Sequence, residues 1–259
     1  MRLAAMLRIK DQILTIDECM SKLSEIADEI IVVDNGSTDG TLQAYGKYPK
    51  IVKVLRTEGF DEGRDKVMIL EEAKKSNPDW MLWIDADEIF ENHFTRAVAE
   101  KYMRSRHDRI VFRMCNFWLS RERCRYDSEY YLYTLHPQRS MWRNMPSAYF
   151  RNIKIHNGDI MGIPGKPYIS LYRLKHYGYA DRKKVEEKLA LYSRVDPKGS
   201  RDYSGTISPD LPFKTFRYYE FKNNLLNGVY IFLYKYACNS LWILLRIRLK
   251  MNKLFHTSK

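Results

Sequence analysis

Four short runs, Leu3–Ile9, Glu29–Val33, Ile51–Leu55 and Trp80–Ile84, are apolar along most of their length and do not alternate with polar residues. Between them lie segments of helical spacing. Cys19, Met20, Leu23, Ile26 and Ala27 share one face of a helix, and Thr15-Ile16-Asp17-Glu18 before them reads as a capping box. Residues Thr38–Tyr45 read as a short helix and Gly63–Lys75 as a longer one. Continuous apolar strands alternating with helices predict a parallel sheet covered on both faces. Ligands of such sheets bind beyond the carboxyl ends of the strands.

The pattern changes after about residue 105. Arg109–Cys115 reads as a further strand, the stretch to about Ser170 is rich in Tyr, Arg and Asn, and Asp181–Tyr192 reads as a helix with Val185, Leu189 and Tyr192 on one face. Residues Val195–Pro212, with three prolines and two glycines, read as a loop. From Phe221 to Lys259 there is no acidic residue.

The chain has 259 residues, of which 45% are hydrophobic, which excludes wholesale disorder. A formal net charge of +12 points to anionic partners: a nucleotide, a nucleic acid or a lipid surface. The four cysteines, Cys19, Cys115, Cys124 and Cys238, form no CxxC pair, and no histidine cluster has zinc spacing. Reduced thiols in a cytoplasmic protein are the expectation. Leu3–Leu7 is too short an apolar run for a signal peptide, and no targeting segment is expected before the first strand.

Two polar motifs fall at strand ends. In Trp83-Ile84-Asp85-Ala86-Asp87-Glu88 a strand delivers two carboxylates, two residues apart. In an extended segment both point the same way. They repel unless a cation lies between them, and Mg²⁺ or Mn²⁺ suits such oxygen ligands and bridges to phosphate. The alternative is an acidic first turn of a helix. In Val33-Asp34-Asn35-Gly36-Ser37-Thr38-Asp39-Gly40-Thr41, Asp34 can accept hydrogen bonds from a nucleobase or ribose. Gly36 lets backbone approach closely, and Ser37 can cap the next helix. The alternative is a tight turn rich in Asn, Gly and Asp for conformational reasons.

Together, VVDNGSTDGT about fifty residues before WIDADE, after the strand-like LAAMLRIKDQ, resembles the family 2 glycosyltransferases of the GT-A fold over residues 1–95. Leu174-Lys175-His176-Tyr177-Gly178-Tyr179, before a Lys-rich helix, resembles the family's C-terminal part. The resemblance implies an α/β, Rossmann-like, mostly parallel central sheet flanked by helices, with a C-terminal helical extension. Residues 1–105 would be the nucleotide-sugar half, 106–220 the acceptor half of the same domain, and 221–259 a basic amphipathic tail. Arg8 and Lys10 would lie beside the nucleotide, Asp34 and Asn35 at base or ribose, and Arg64 near the base. Asp85 and Asp87 would be the DxD pair, with Ala86 between them on the donor side and Asp87 the direct ligand of Mn²⁺ or Mg²⁺. His176 matches a histidine that approaches metal or diphosphate.

The implied reaction moves a sugar from a UDP, GDP or dTDP donor to a glycan or lipid-linked hydroxyl with inversion, which needs a metal for the leaving group and a base for the acceptor. Some relatives carry His-Glu where this chain has His156-Asn157, and asparagine takes no proton. Asp159 is the nearest replacement; Asp127 and Glu129 are rivals. Phe117, Trp118, Tyr126, Tyr130, Tyr131, Tyr133, Trp142 and Tyr149 are either a sugar-stacking pocket or an ordinary aromatic core.

Other functions predict other sequences. A sugar nucleotidyltransferase would show a Gly-rich loop near the N-terminus, and Leu3–Gln12 contains no glycine. A nucleic-acid-binding protein would use a basic stripe, hinted at by Arg121, Arg123 and Arg125, but would not need DADE; no nucleic-acid partner is expected. An inactive binding module would not need an intact DxD pair. The tail, Leu225–Leu249, is apolar but interrupted by Lys235, so a membrane span is the weaker reading. Helices against the domain or in the membrane interface fit better, with Arg246, Arg248, Lys250 and Lys253 toward anionic lipid at the cytoplasmic face of a membrane.

Overall fold

The computed structural model describes residues 1–125, 137–155, 158–196, 207–210 and 215–218. Asp127, Glu129, His156, Asn157, Cys238 and the whole expected tail lie outside them.

The four apolar runs form strands β1 (Leu3–Ile9), β2 (Glu29–Asp34), β3 (Ile51–Arg56) and β4 (Trp80–Asp85). Helix α1 (Ile16–Ile26) links β1 to β2, the short α2 (Thr41–Ala44) and a 3₁₀ turn link β2 to β3, and α3 (Glu62–Lys74) links β3 to β4. Strand β5 (Glu88–Phe90) and helix α4 (Arg96–Met103) follow, then β6 (Arg109–Asn116), β7 (Arg123–Arg125), β8 (Pro137–Arg143), β9 (Tyr168–His176), helix α5 (Arg182–Val195) and β10 (Thr215–Arg217).

Eight strands form one sheet in the order β3-β2-β1-β4-β8-β6-β9-β5, and β7 pairs with β10 apart from it. Pairings among β1 to β4, and between β6 and β9, are parallel; β8 runs antiparallel between β4 and β6, and β5 antiparallel beside β9. This is the mixed, mostly parallel α/β sheet expected of a GT-A domain. β4 and β5 are joined by only Ala86 and Asp87, yet three strands lie between them in the hydrogen-bonding order. A two-residue link spans about 10 Å at most. The sheet must therefore curl until the carboxyl end of β9 returns to that of β4.

The unbroken apolar runs have a simple cause. Leu3, Ala5, Leu7 and Ile9 of β1 join one core with Cys19, Met20 and Leu23 of α1, while Ala4 and Met6 join a second core with Ile69, Leu70 and Ala73 of α3. Both faces of the strand are buried, so both sets must be apolar. The predicted capping box does not form: Thr15 makes no cap bond to α1, and its hydroxyl turns back to Gln12. The helix predicted over Thr38–Tyr45 is shortened to Thr41–Ala44, because Asp11, Asp34 and Asp39 take up backbone and side-chain donors of residues 37–41 in turns.

Candidate active site

Parallel pairing aligns the two polar motifs. Ile9 of β1 lies opposite Asp34 of β2, and Arg8 lies opposite Asp85 of β4, so both motifs leave the sheet along one carboxyl edge.

On the β2 side, Asp34 is fully buried and both its oxygens are used within the chain. One accepts from the Ser37 backbone N–H at 2.8 Å, the other from the Tyr45 hydroxyl at 2.8 Å. Burial and the Asp34 carboxylate push the Tyr45 phenol well above its ordinary range, so it stays a donor. Asp34 thus holds the turn. Ser37 does not cap α2; its hydroxyl accepts from the Asp11 backbone N–H at 3.0 Å. Gly36 has a φ of 74°, which suits glycine, and its carbonyl accepts from Lys10 Nζ at 2.5 Å. Asn35 donates to Thr57 Oγ1 at 2.9 Å and to the Gly59 carbonyl at 2.8 Å.

Arg8 and Arg64 meet at a residue the sequence reading did not single out. Asp65, fully buried in the first turn of α3, accepts from Arg8 Nε at 2.7 Å and from Arg64 Nε at 2.9 Å. Arg8 also lies over the Phe60 ring, 4.8 Å from its centre. Gly36, Arg56, Thr57 and Glu58 line a cleft of about 300 Å³ beside this group.

On the β4 side, the chain turns at Ala86 and Asp87 and re-enters a strand at Glu88. DADE is neither one extended segment nor a helix start, and its carboxylates part company. Asp85 pairs with Arg139 of β8. Glu88, fully buried, accepts from Arg139 Nε at 2.7 Å, while its own carboxylate accepts from the Asp85 backbone N–H at 3.0 Å. Asp87 faces Lys188 Nζ of α5 at 3.2 Å and His176 Nε2 at 3.7 Å. The ring of His176 donates from Nδ1 to Asn116 Oδ1 at 2.5 Å, which leaves Nε2 directed at Asp87. Burial pushes the Asp87 carboxyl up, but Lys188 and then His176 outweigh it and hold the group well below the usual carboxylate range. Glu88 goes the other way, because burial exceeds what Arg139 returns.

Among the described residues, Asp87, Glu88 and His176 are a group that could hold a cation, their ligand atoms lying within 4.8 Å of one another. Of the expected set, Asp87 and His176 are in this group, while Asp85, like Glu88, is engaged with Arg139. Two carboxylates and an imidazole suit Mn²⁺ and are compatible with Mg²⁺. Space is provided at Gly178, where an added Cβ would lie 2.5 Å from Asp87 Oδ2 and 2.6 Å from His176 Nε2. The donor set and the cradle fit the expected ion, with Lys188 the group that would have to yield.

Asp159 is not in this cluster. Its Oδ2 accepts from Arg109 Nη2 at 2.8 Å and from the Ser140 hydroxyl, and its Oδ1 from the Ile160 backbone N–H at 2.8 Å. Arg109 begins β6, whereas Asn116, which orients His176, ends it. Phe117, Trp118 and Trp142 are core residues, whereas Tyr149 is half exposed. Glu88, Asp65, Asn116, Arg139, Gly178 and Lys188 complete the site beyond the predicted residues. Glu88 was inside the motif, and Lys188 sits on the face of the helix that carries Val185, Leu189 and Tyr192, which was a readable signal; Arg139 carried none.

Comparison with known proteins adds to this geometry. The family described as Glycosyl transferase family 2 matches residues 10–163. An uncharacterized protein of Mycobacterium tuberculosis and one of Mycobacterium bovis are each 28% identical over 124 residues, which is 44% of this chain and 30% of theirs. The match thus spans under a third of those relatives. Among solved structures, Staphylococcus aureus TarS residues 1–349 superposes with a TM-score of 0.46 at 18% identity, covering 79% of this chain and 68% of that one. The same protein in complex with UDP-GlcNAc gives 0.46 at 17% identity, covering 79% and 69%.

Proposed function

The chain belongs to glycosyl transferase family 2, and we propose that it transfers a sugar from a UDP, GDP or dTDP donor to a hydroxyl of a glycan or lipid-linked acceptor, with inversion. Family membership replaces the sugar nucleotidyltransferase and nucleic-acid-binding readings of the sequence. One observation carries the proposal: the curled sheet brings Asp87, Glu88 and His176 together on the same carboxyl edge as the cleft at Gly36, Arg56, Thr57 and Glu58.

In this reading the cleft takes the nucleoside. Asn35, Arg8 and Arg64 sit around Asp65, which fixes both guanidiniums, and Lys10 is anchored at the Gly36 carbonyl. Asp34 acts by shaping the turn that presents them. The diphosphate then lies toward Asp87 and His176. A divalent ion held by Asp87, Glu88 and His176 would offset the charge that develops on the departing diphosphate. Arg139 keeps Asp85 and Glu88 from repelling one another when that ion is absent. The acceptor hydroxyl must lose a proton, and Asp159 is the proposed base, with Asp127 and Glu129 its rivals; Asp159 would first have to leave Arg109 and Ser140.

The test is thermal stability of the purified chain against UDP-, GDP- and dTDP-sugars, with Mn²⁺ and with chelator, together with release of nucleoside diphosphate. A ligand at 100 times its Kd adds about 2.7 kcal/mol to the folded state. One donor class is expected to raise the melting temperature and to release its nucleotide when acceptor is supplied. No shift with any donor in either condition overturns the reading; a shift with no release from any acceptor mixture points to a binding module.

A further inference from the structure

Helix α5 carries a lysine on its partly buried face, where an apolar residue is expected. Val185, Leu189 and Tyr192 pack with Trp118 and Ile207, and position 188 falls on that same face, three residues after Val185 and four before Tyr192. A lysine in such a place usually snorkels to solvent. Lys188 instead turns inward, with Nζ 3.2 Å from Asp87 Oδ2 and 4.7 Å from the centre of the Tyr179 ring. A Cβ at Gly178 would lie 2.3 Å from that Nζ, so the missing side chain at 178 admits the ammonium to the meeting point of Asp87 and His176. One turn earlier on α5, Lys184 Nζ donates to the Asp11 carbonyl, just after β1, at 2.8 Å. The helix therefore lays two ammonium groups along the carboxyl edge, from the β1 end to the DADE turn.

An ammonium drawn largely out of water is costly, and an apolar side chain of the same length would complete the face without that cost. Packing does not explain the lysine. A purely structural partner for Asp87 does not explain it well either, because His176 already faces the same carboxylate and the site's acids are matched by Arg139 nearby. What the lysine adds is a mobile positive charge at the place where a diphosphate must bind.

On the nucleotide-sugar reading above, we propose that Lys188 is a diphosphate-binding residue: it pairs with Asp87 while the site is without ligand and passes its ammonium to the phosphate oxygens of a bound nucleoside diphosphate. Two consequences follow from charge. Part of the affinity for diphosphate is independent of divalent metal. Metal alone binds weakly, because it competes with Lys188 for Asp87, and diphosphate relieves that competition by giving the lysine another partner. Metal and diphosphate are then coupled, each raising the affinity of the other.

Titration calorimetry with UDP, GDP and dTDP, in chelator and in Mn²⁺, and with Mn²⁺ alone, tests this on the full chain and on Lys188→Met, Lys188→Gln and Lys188→Arg. Lys188→Met is expected to fold, since it completes the apolar stripe, and Lys188→Gln keeps a polar head if it does not. Wild type should bind one of the three diphosphates in chelator. Met and Gln variants should lose about tenfold or more of that affinity, the worth of one charge-assisted hydrogen bond. Lys188→Arg should restore part of it, and Mn²⁺ alone should bind the Met variant more tightly than wild type. Equal affinity of wild type and the Met and Gln variants in chelator, or binding by wild type only when Mn²⁺ is present, overturns the role of Lys188 and leaves the donor reading standing. No binding of any diphosphate by wild type in either condition overturns the donor reading, and this one with it.

Discussion

Glu91 shows how much a single buried charge is asked to do in this fold. It is 1% exposed and accepts from Arg173 Nε at 2.7 Å and from the Tyr218 hydroxyl at 2.6 Å, with His93 Nε2 at 3.3 Å. Burial pushes its carboxyl up, but Arg173, His93 and Tyr218 outweigh burial and bring it from an ordinary 4.5 down to about 2. A depressed folded pKa contributes stability that is complete above the unfolded value and is lost as pH falls through the folded one. A shift of that size corresponds to about 3 kcal/mol. Glu91→Gln is therefore expected to lower the unfolding free energy by about 3 kcal/mol at pH 7, with the difference from wild type shrinking between pH 4.5 and pH 2. Urea denaturation at pH 7, 4 and 3 measures it; a difference that does not change with pH would sink the assignment. Neither Glu91 nor Arg173 announced itself in the sequence, because the pair is brought together across 82 positions by the β5–β9 edge. The DADE carboxylates were legible as a group. Their division between Arg139 and Lys188 was not, since it depends on a turn at Ala86 that only the curled sheet imposes.

At the scale of elements, local propensity and tertiary packing pull in opposite directions at the start of α3. Alanine is a better helix former than glycine by about 1 kcal/mol. Yet a Cβ on Gly63 would stand 2.4 Å from the Ile153 backbone N and 2.8 Å from the Asn152 carbonyl carbon. The helix start is pinned there as well by the Glu62 N–H, which donates to the Lys154 carbonyl at 2.9 Å. Backbone cannot give way as a flexible side chain can, so packing wins. Gly63→Ala is expected to destabilise the chain by about 2 kcal/mol or more, in the range of overpacked cores. It should also weaken nucleotide binding, because Arg64 and Asp65 ride on the same turn. Calorimetric unfolding and nucleotide titration of this variant decide the matter, and a rise in melting temperature would mean that propensity had won. Strands β1, β2 and β4 were legible because burial on both faces leaves an unbroken apolar run, whereas β3, at the sheet edge with Val52 exposed, was legible from its β-branched residues alone. β5 and β8 were not, because three residues are too few for a pattern and β8 mixes Arg139, Ser140 and Arg143 with Met141 and Trp142.

At the scale of the whole molecule, charge is unevenly distributed along the chain. Residues Phe221–Lys259 hold seven of its lysines and arginines and no acid, out of a net +12. Among the described residues no helix is long and apolar enough to cross a membrane, and the tail lies outside them. Leu225–Leu249 is apolar enough to seek burial, Lys235 divides it, and Arg246, Arg248, Lys250 and Lys253 follow. A basic residue close to anionic lipid contributes roughly 1 kcal/mol, and that contribution fades beyond a Debye length. Four such residues next to an apolar segment are enough to hold the chain at a charged surface in low salt, where a lipid-linked acceptor would be within reach. We propose peripheral attachment of this kind. Vesicles of phosphatidylcholine with and without phosphatidylserine, floated with the full chain at low and high salt, measure it. Wild type is expected to float with the anionic vesicles and to be released by salt, and a variant with Arg246, Arg248, Lys250 and Lys253 all changed to Gln is expected to stay behind. If wild type stays behind at low salt as well, the attachment is overturned. If it floats and salt does not release it, the apolar face and not the basic residues makes the attachment.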